Sequence, residues 1–231
     1  MIITDRFVFL HLHKSGGTFV NELLMQCLPD ARQYGYHLPR ALIPAEARHL
    51  PVLGLVRNPW SYYVSWYAFQ KSRSQPNALF HVLSDEGRAD FSATVRNMLD
   101  LGVQTDRLER LLTLLPNAYL NRGLNLPGFA LAPIRNSGLG FYSFLYGYLY
   151  GTPDTSLHLG RMEELRAVLP TLLERVGQPV TPAMRQFIAA EQPRNTSRHD
   201  RYERCYDADL AALVAERDAQ VIAAHGYRFG D

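Results

Sequence analysis

Cysteine is scarce: Cys27 and Cys205 are the two cysteines in 231 residues, and they stand far apart in the chain. That argues against a disulfide framework and fits reduced packing residues in a cytosolic protein. Long apolar runs are missing too. Nothing approaches the roughly 18 consecutive apolar residues of a membrane span. The first apolar run, Phe7–Leu12, is short and broken by His11, unlike a secretory signal. The expected location is therefore the cytoplasm, with no membrane partner. Excess charge of one sign is also lacking. The formal net charge is +2 and no basic run occurs, which argues against a nucleic-acid partner. No internal repeat is evident. What remains is an ordinary globular composition, 47% hydrophobic, at a length that fits one α/β domain over residues 1–231.

What is present is a strand–turn–helix unit with a cation at its tip. Lys14-Ser15-Gly16-Gly17-Thr18 lies between strand-like Phe7–His13 and helix-like Phe19–Cys27. Two adjacent glycines let the backbone turn sharply and bring bare N–H groups near a ligand. The helix start adds further N–H groups and the positive end of a dipole. Together these make a cradle for a phosphate or sulfate. In the P-loop of nucleotide triphosphatases the lysine follows the glycines. Here it precedes them, and no Walker-type carboxylate follows an apolar strand. The loop suits an anion without a metal.

A second unit has the same character. Pro51–Val56 is an apolar run long enough for one buried strand. It ends in Arg57-Asn58-Pro59-Trp60, and Ser61–Gln70 reads as a helix. Asn58 is a suitable N-cap and Pro59 a good first helical residue. Arg57 then stands at a strand's carboxyl end, where open α/β sheets bind ligands. Ser61 and Ser65 share one helical face. A guanidinium and a serine hydroxyl there fit a second phosphate.

Both units together resemble the sulfotransferases that use 3′-phosphoadenylyl sulfate (PAPS). His11-Leu12-His13-Lys14-Ser15-Gly16-Gly17-Thr18 is similar to that family's 5′-phosphosulfate loop, with His13 in place of a proline and Ser15 in place of a threonine. Arg57 through Tyr67 resembles its 3′-phosphate motif, in which a serine stands eight residues after the arginine. The resemblance implies a P-loop-like three-layer α/β fold, with a central parallel sheet flanked by helices. It implies that Lys14, Ser15, Gly16, Gly17, Thr18, Arg57 and Ser65 hold PAPS, with no metal. Farther on, His158–Leu165 resembles a late strand-to-helix segment of the family. Asn195-Thr196-Ser197-Arg198 and the C-terminal helix ending at Gly226-Tyr227-Arg228-Phe229 resemble the terminal segment of short bacterial members, which makes Arg198 a candidate phosphate ligand.

The remaining stretches are less informative. Arg107–Leu115 has leucines at helical spacing and reads as an amphipathic helix. Asn121–Gly140 is rich in Gly, Pro and Asn and reads as loop. Phe141–Tyr150 is densely aromatic, either core with tyrosine hydroxyls at its rim or a wall around an acceptor. Glu163–Val176, interrupted near Pro170, and Ala208–Ala224 read as helices.

Sulfuryl transfer needs a cation and N–H donors where negative charge builds on the bridging oxygen, a role for Lys14 and the glycine turn. It also needs a base that takes the acceptor's proton near neutrality. Of eight histidines, His37 lies in a Gly/Tyr-rich loop between the two motifs. Carbohydrate sulfotransferases carry a comparable histidine base there, although Tyr36 separates it from Gly35. His13 and His11 follow by proximity, and Glu22 is a carboxylate alternative. The expected reaction is transfer from PAPS to a hydroxyl of a carbohydrate or other small-molecule acceptor. The alternatives are a P-loop phosphotransferase, a silent nucleotide-binding module and a structural partner-binding domain. The acceptor and the oligomeric state are not legible in the sequence.

Overall fold

The computed structural model describes residues 1–190 and 201–231. The strands are β1 (Ile2–Ile3), β2 (Val8–Leu10), β3 (Arg32–Gln33), β4 (Val52–Val56) and β5 (Leu157–Arg161). The helices are α1 (Gly17–Cys27), α2 (Pro59–Lys71), α3 (Ala78–Leu83), α4 (Phe91–Leu99), α5 (Thr105–Leu114), α6 (Gly128–Leu131), α7 (Phe141–Tyr150), α8 (Leu165–Arg175), α9 (Pro182–Ala190), α10 (Ala208–Arg217) and α11 (Ala219–His225). The chain divides into two compact units. The first is Met1–Arg57 with Gly147–Thr196, and the second is Asn58–Tyr146 with Ser197–Asp231.

The first unit is α/β, with a five-stranded sheet in the order β3-β1-β2-β4-β5. Every residue of β2 and β4 is buried, as continuous apolar strands in a covered sheet must be. β2, β4 and β5 run parallel. The sheet is nevertheless mixed, not the wholly parallel one expected. β1 pairs antiparallel with β2 and with β3. The reason is local. Only Thr4–Phe7 separate β1 from β2, and so short a link permits only a hairpin. Thr4 holds that turn: its hydroxyl donates to the Phe7 carbonyl at 2.9 Å and accepts from the Phe7 amide at 3.0 Å.

One face of the sheet carries α1, α8 and α9. Phe9, Leu53 and Leu55 pack there with Val20, Leu23, Leu24, Leu169, Leu172, Leu173, Met184 and Ile188. α8 runs through Pro170 without a break. Proline removes one N–H and crowds the preceding turn, but Leu169, Leu172 and Leu173 on both sides of it are buried, and that packing holds the helix. Tyr150, the last residue of α7, lies against Gly54 of β4.

The second unit is helical. Asn58 caps α2, its side chain accepting from the Ser61 amide. The same side chain donates to the Arg228 carbonyl at 3.0 Å. Phe229 stands edge-on to Trp60, Tyr202 and Tyr206. Ala208–Ala224 is not one helix but two, α10 and α11, meeting at Asp218. Asp218 is fully buried. It accepts from the Tyr63 hydroxyl at 2.7 Å and the Ser143 amide at 2.8 Å. Its neutral surroundings push the carboxyl up from 3.8 to about 6, burial being the main cause. The loop expected over Asn121–Gly140 contains the single-turn α6 and a short 3-10 turn. Among the described residues, no helix is long and apolar enough to cross a membrane.

Candidate active site

β2 ends at Leu10, and the chain leaves the sheet as His11–Gly16. Lys14 takes a left-handed backbone, φ 57°, and so does Gly16, φ 78°. Gly16 is the N-cap of α1 and offers no side-chain cap, in contrast to Asn58 on α2. The first turn of α1 is left to backbone N–H groups and the helix dipole, as an anion cradle requires. Gly17 is demanded by contact: a Cβ there would lie 1.9 Å from Cδ2 of His11. Ser15 is turned inward, 1% exposed, and its hydroxyl donates to the His13 carbonyl at 3.2 Å. Thr18 is half-buried in the first helical turn.

Arg57 follows the last residue of β4, and its guanidinium donates to the Lys14 carbonyl at 2.9 Å. The two cations expected from separate motifs therefore meet. Burial, and next the charge of Arg57, lower the Lys14 amine from 10.5 to about 8.

Beside the loop stand three histidines. The rings of His13 and His37 are stacked, centroids 3.6 Å apart at 18°. His11 tilts against His37 at 4.5 Å. Nδ1 of His37 lies 2.7 Å from the His11 carbonyl. A carbonyl only accepts, so Nδ1 carries the hydrogen and Nε2 is left as the basic nitrogen. Burial lowers the His37 pKa from 6.5 to about 4, against the opposing pull of the His11 carbonyl. Burial, and next its neighbours His37 and His13, hold His11 well below the usual histidine range.

The structure thus brings Lys14, Gly16, Gly17 and Arg57 together, and His37 with His11 and His13. Glu22 is half-buried on α1. Ser65 belongs to the second unit, where it is 3% exposed on α2. Arg198 lies outside the described residues. Sequence reasoning ranked His11 third among the bases and missed that its ring presses on Gly17. No local signal pointed to this contact, since His11 and Gly17 stand six residues apart. Among the described residues no group of three or more acidic, histidine or cysteine side chains is arranged to hold a metal. Comparison with protein-family models finds no match for the chain, and comparison with curated proteins finds none.

Proposed function

We propose that this chain is a sulfotransferase with a P-loop-like fold that moves the sulfuryl group of PAPS to a hydroxyl of a carbohydrate or other small molecule. The observation that carries the reading is the hydrogen bond from Arg57 to the Lys14 carbonyl. It unites two anion-binding motifs 43 residues apart, and one nucleotide with phosphates at both ends of its ribose needs such a pair. The cradle fits the group: an uncapped helix start, a left-handed Gly16, and a lysine and an arginine that meet at the turn.

Bound there, the nucleotide would supply the sulfuryl group, whose bond to the bridging phosphate oxygen breaks as one to the acceptor oxygen forms. Lys14 and the amides of Gly16 and Gly17 hold the charge that collects on the leaving oxygen. Arg57 binds the 3′-phosphate. Nε2 of His37 takes the acceptor's proton, and the His11 carbonyl keeps the ring in that tautomer.

Calorimetry with adenosine 3′,5′-bisphosphate, AMP and ATP tests this. The bisphosphate should bind without metal and at least tenfold more tightly than AMP, roughly the 1.4 kcal/mol of one charge-assisted bond. Arg57→Ala should erase most of that preference. Equal affinity for AMP and the bisphosphate sinks the proposal. ATP binding that requires Mg²⁺ would turn it toward phosphotransfer. Tight bisphosphate binding without turnover on varied acceptors would leave a silent module.

A further inference from the structure

β2 and β4 pair only as far as Leu10 and Gly54. In a parallel ladder the next groups of β4 that face β2 belong to Leu55. These groups are not left open. The Tyr150 hydroxyl accepts from the Leu55 amide at 3.1 Å and donates to the Leu55 carbonyl at 2.8 Å. One side-chain hydroxyl thus replaces both partners that β2 would have supplied. Gly54 makes this possible: a Cβ there would lie 2.4 Å from Cε1 of Tyr150 and 2.6 Å from its hydroxyl. The ring is fully buried, so its hydroxyl must be hydrogen-bonded, and Leu55 supplies it with both a donor and an acceptor.

Leu55 matters because of what it touches. Two residues later comes Arg57. Its own side chain lies under the glycine turn, Cδ1 falling 3.6 Å from where a Cβ of Gly16 would be. The wedge therefore sits where the loop strand and the arginine strand part, and it grips the residue that underlies both.

We infer that Tyr150 is a positioning residue for the anion site: its hydroxyl fixes the divergence of β2 and β4 and so the spacing of the glycine turn from Arg57. This gives part of the aromatic segment 141–150 a role distinct from core filling or an acceptor wall. In its choice of nucleotide probe the inference rests on the sulfotransferase reading.

The test is the ratio of affinities for adenosine 3′,5′-bisphosphate and AMP in wild type, Tyr150→Phe and Gly54→Ala. Tyr150→Phe keeps the ring and removes the hydroxyl, and Gly54→Ala displaces the ring. Both should reduce the ratio roughly tenfold or more, as misplacement of a positioned group does. Leu111→Ala, which trims the buried core of the other unit, should lower stability and leave the ratio alone. An unchanged ratio in folded Tyr150→Phe overturns the inference while the functional reading stands. A wild-type ratio near one overturns the functional reading instead. In that case, or if neither variant folds, amide hydrogen exchange of the wild type decides. Inorganic sulfate should slow exchange at Leu55 more than at Leu53, which sits within the β2–β4 ladder. Equal slowing at both overturns the inference.

Discussion

At pH 7 a histidine held near pKa 4 is a neutral ring, and His37 keeps its Nε2 lone pair throughout the physiological range. An ordinary histidine titrates near 6.5, and burial moves this one down. The rate limb of the ligand-free enzyme, read in kcat/KM, should therefore rise with pH through about 4. Binding a polyanion nearby favours imidazolium, so the limb in kcat should lie higher. His37→Ala should remove both limbs and cut turnover by roughly 10²–10⁴ with nucleotide affinity unchanged. If His13→Ala or Glu22→Gln abolishes turnover and His37→Ala does not, the base is reassigned. Lys14 titrates on the other side. Its amine must be protonated to hold an anion, so bisphosphate affinity should be full below about 8 and fall as pH rises through that value. Lys14→Ala should flatten this alkaline limb and depress turnover more than binding. Equal losses in both would make Lys14 a ground-state anchor.

At the scale of elements, the sequence was legible where local chemistry fixes the answer. Asn58-Pro59 announced the start of α2, and the continuous apolar run of β4 announced a buried strand. The glycine pair announced the turn into α1. It failed where packing overrules local preference: α8 runs through Pro170, and Asp218 divides an otherwise unbroken helical pattern. It also read the sheet as parallel, because a two-residue strand such as β1 is too short to show a period. At the site, residue types could be named from the sequence, but the approach of Arg57 to Lys14 and the stacking of His37 on His13 are tertiary facts. Gly17 illustrates the limit. As one of two adjacent glycines it looked like a matter of turning, yet its backbone is ordinary and the ring of His11 is what excludes a side chain. Gly17→Ala should cost roughly 1–3 kcal/mol of stability as an overpacked contact and weaken anion binding. His11→Ala in the same chain should restore most of the stability, and a failure to restore it would show that the glycine is needed for its backbone. Chemical denaturation of the three variants measures this.

For the molecule as a whole, Asp218 sets an acid-range signature. Its carboxyl binds its proton more tightly folded than unfolded, 3.8 rising to about 6. The sign follows: the native state holds the extra proton, so stability falls as pH rises between about 4 and 6 and levels off above. Two pKa units correspond to about 3 kcal/mol. Relative to Asp218→Asn, the wild type should lose about that much between pH 4 and pH 7. Urea midpoints across this range measure the difference, and a pH-independent gap would mean an ordinary carboxyl. No composition figure foretold this group, since one buried acid among 22 acidic residues leaves the net charge untouched.

The left-handed backbone at Lys14 has a further consequence, for evolution in the laboratory. Outside glycine, the described positions with positive φ are mostly Asn, Asp or His, and Lys14 and Glu86 are the exceptions. A lysine in that conformation gives up about 1 kcal/mol that glycine would recover. A library sorted for thermal resistance alone should enrich Lys14→Gly, while one sorted for turnover should purge it. Deep sequencing of the two pools would then mark position 14 by the opposite sign of its selection coefficients, a trace that neither sort leaves at ordinary core or surface positions.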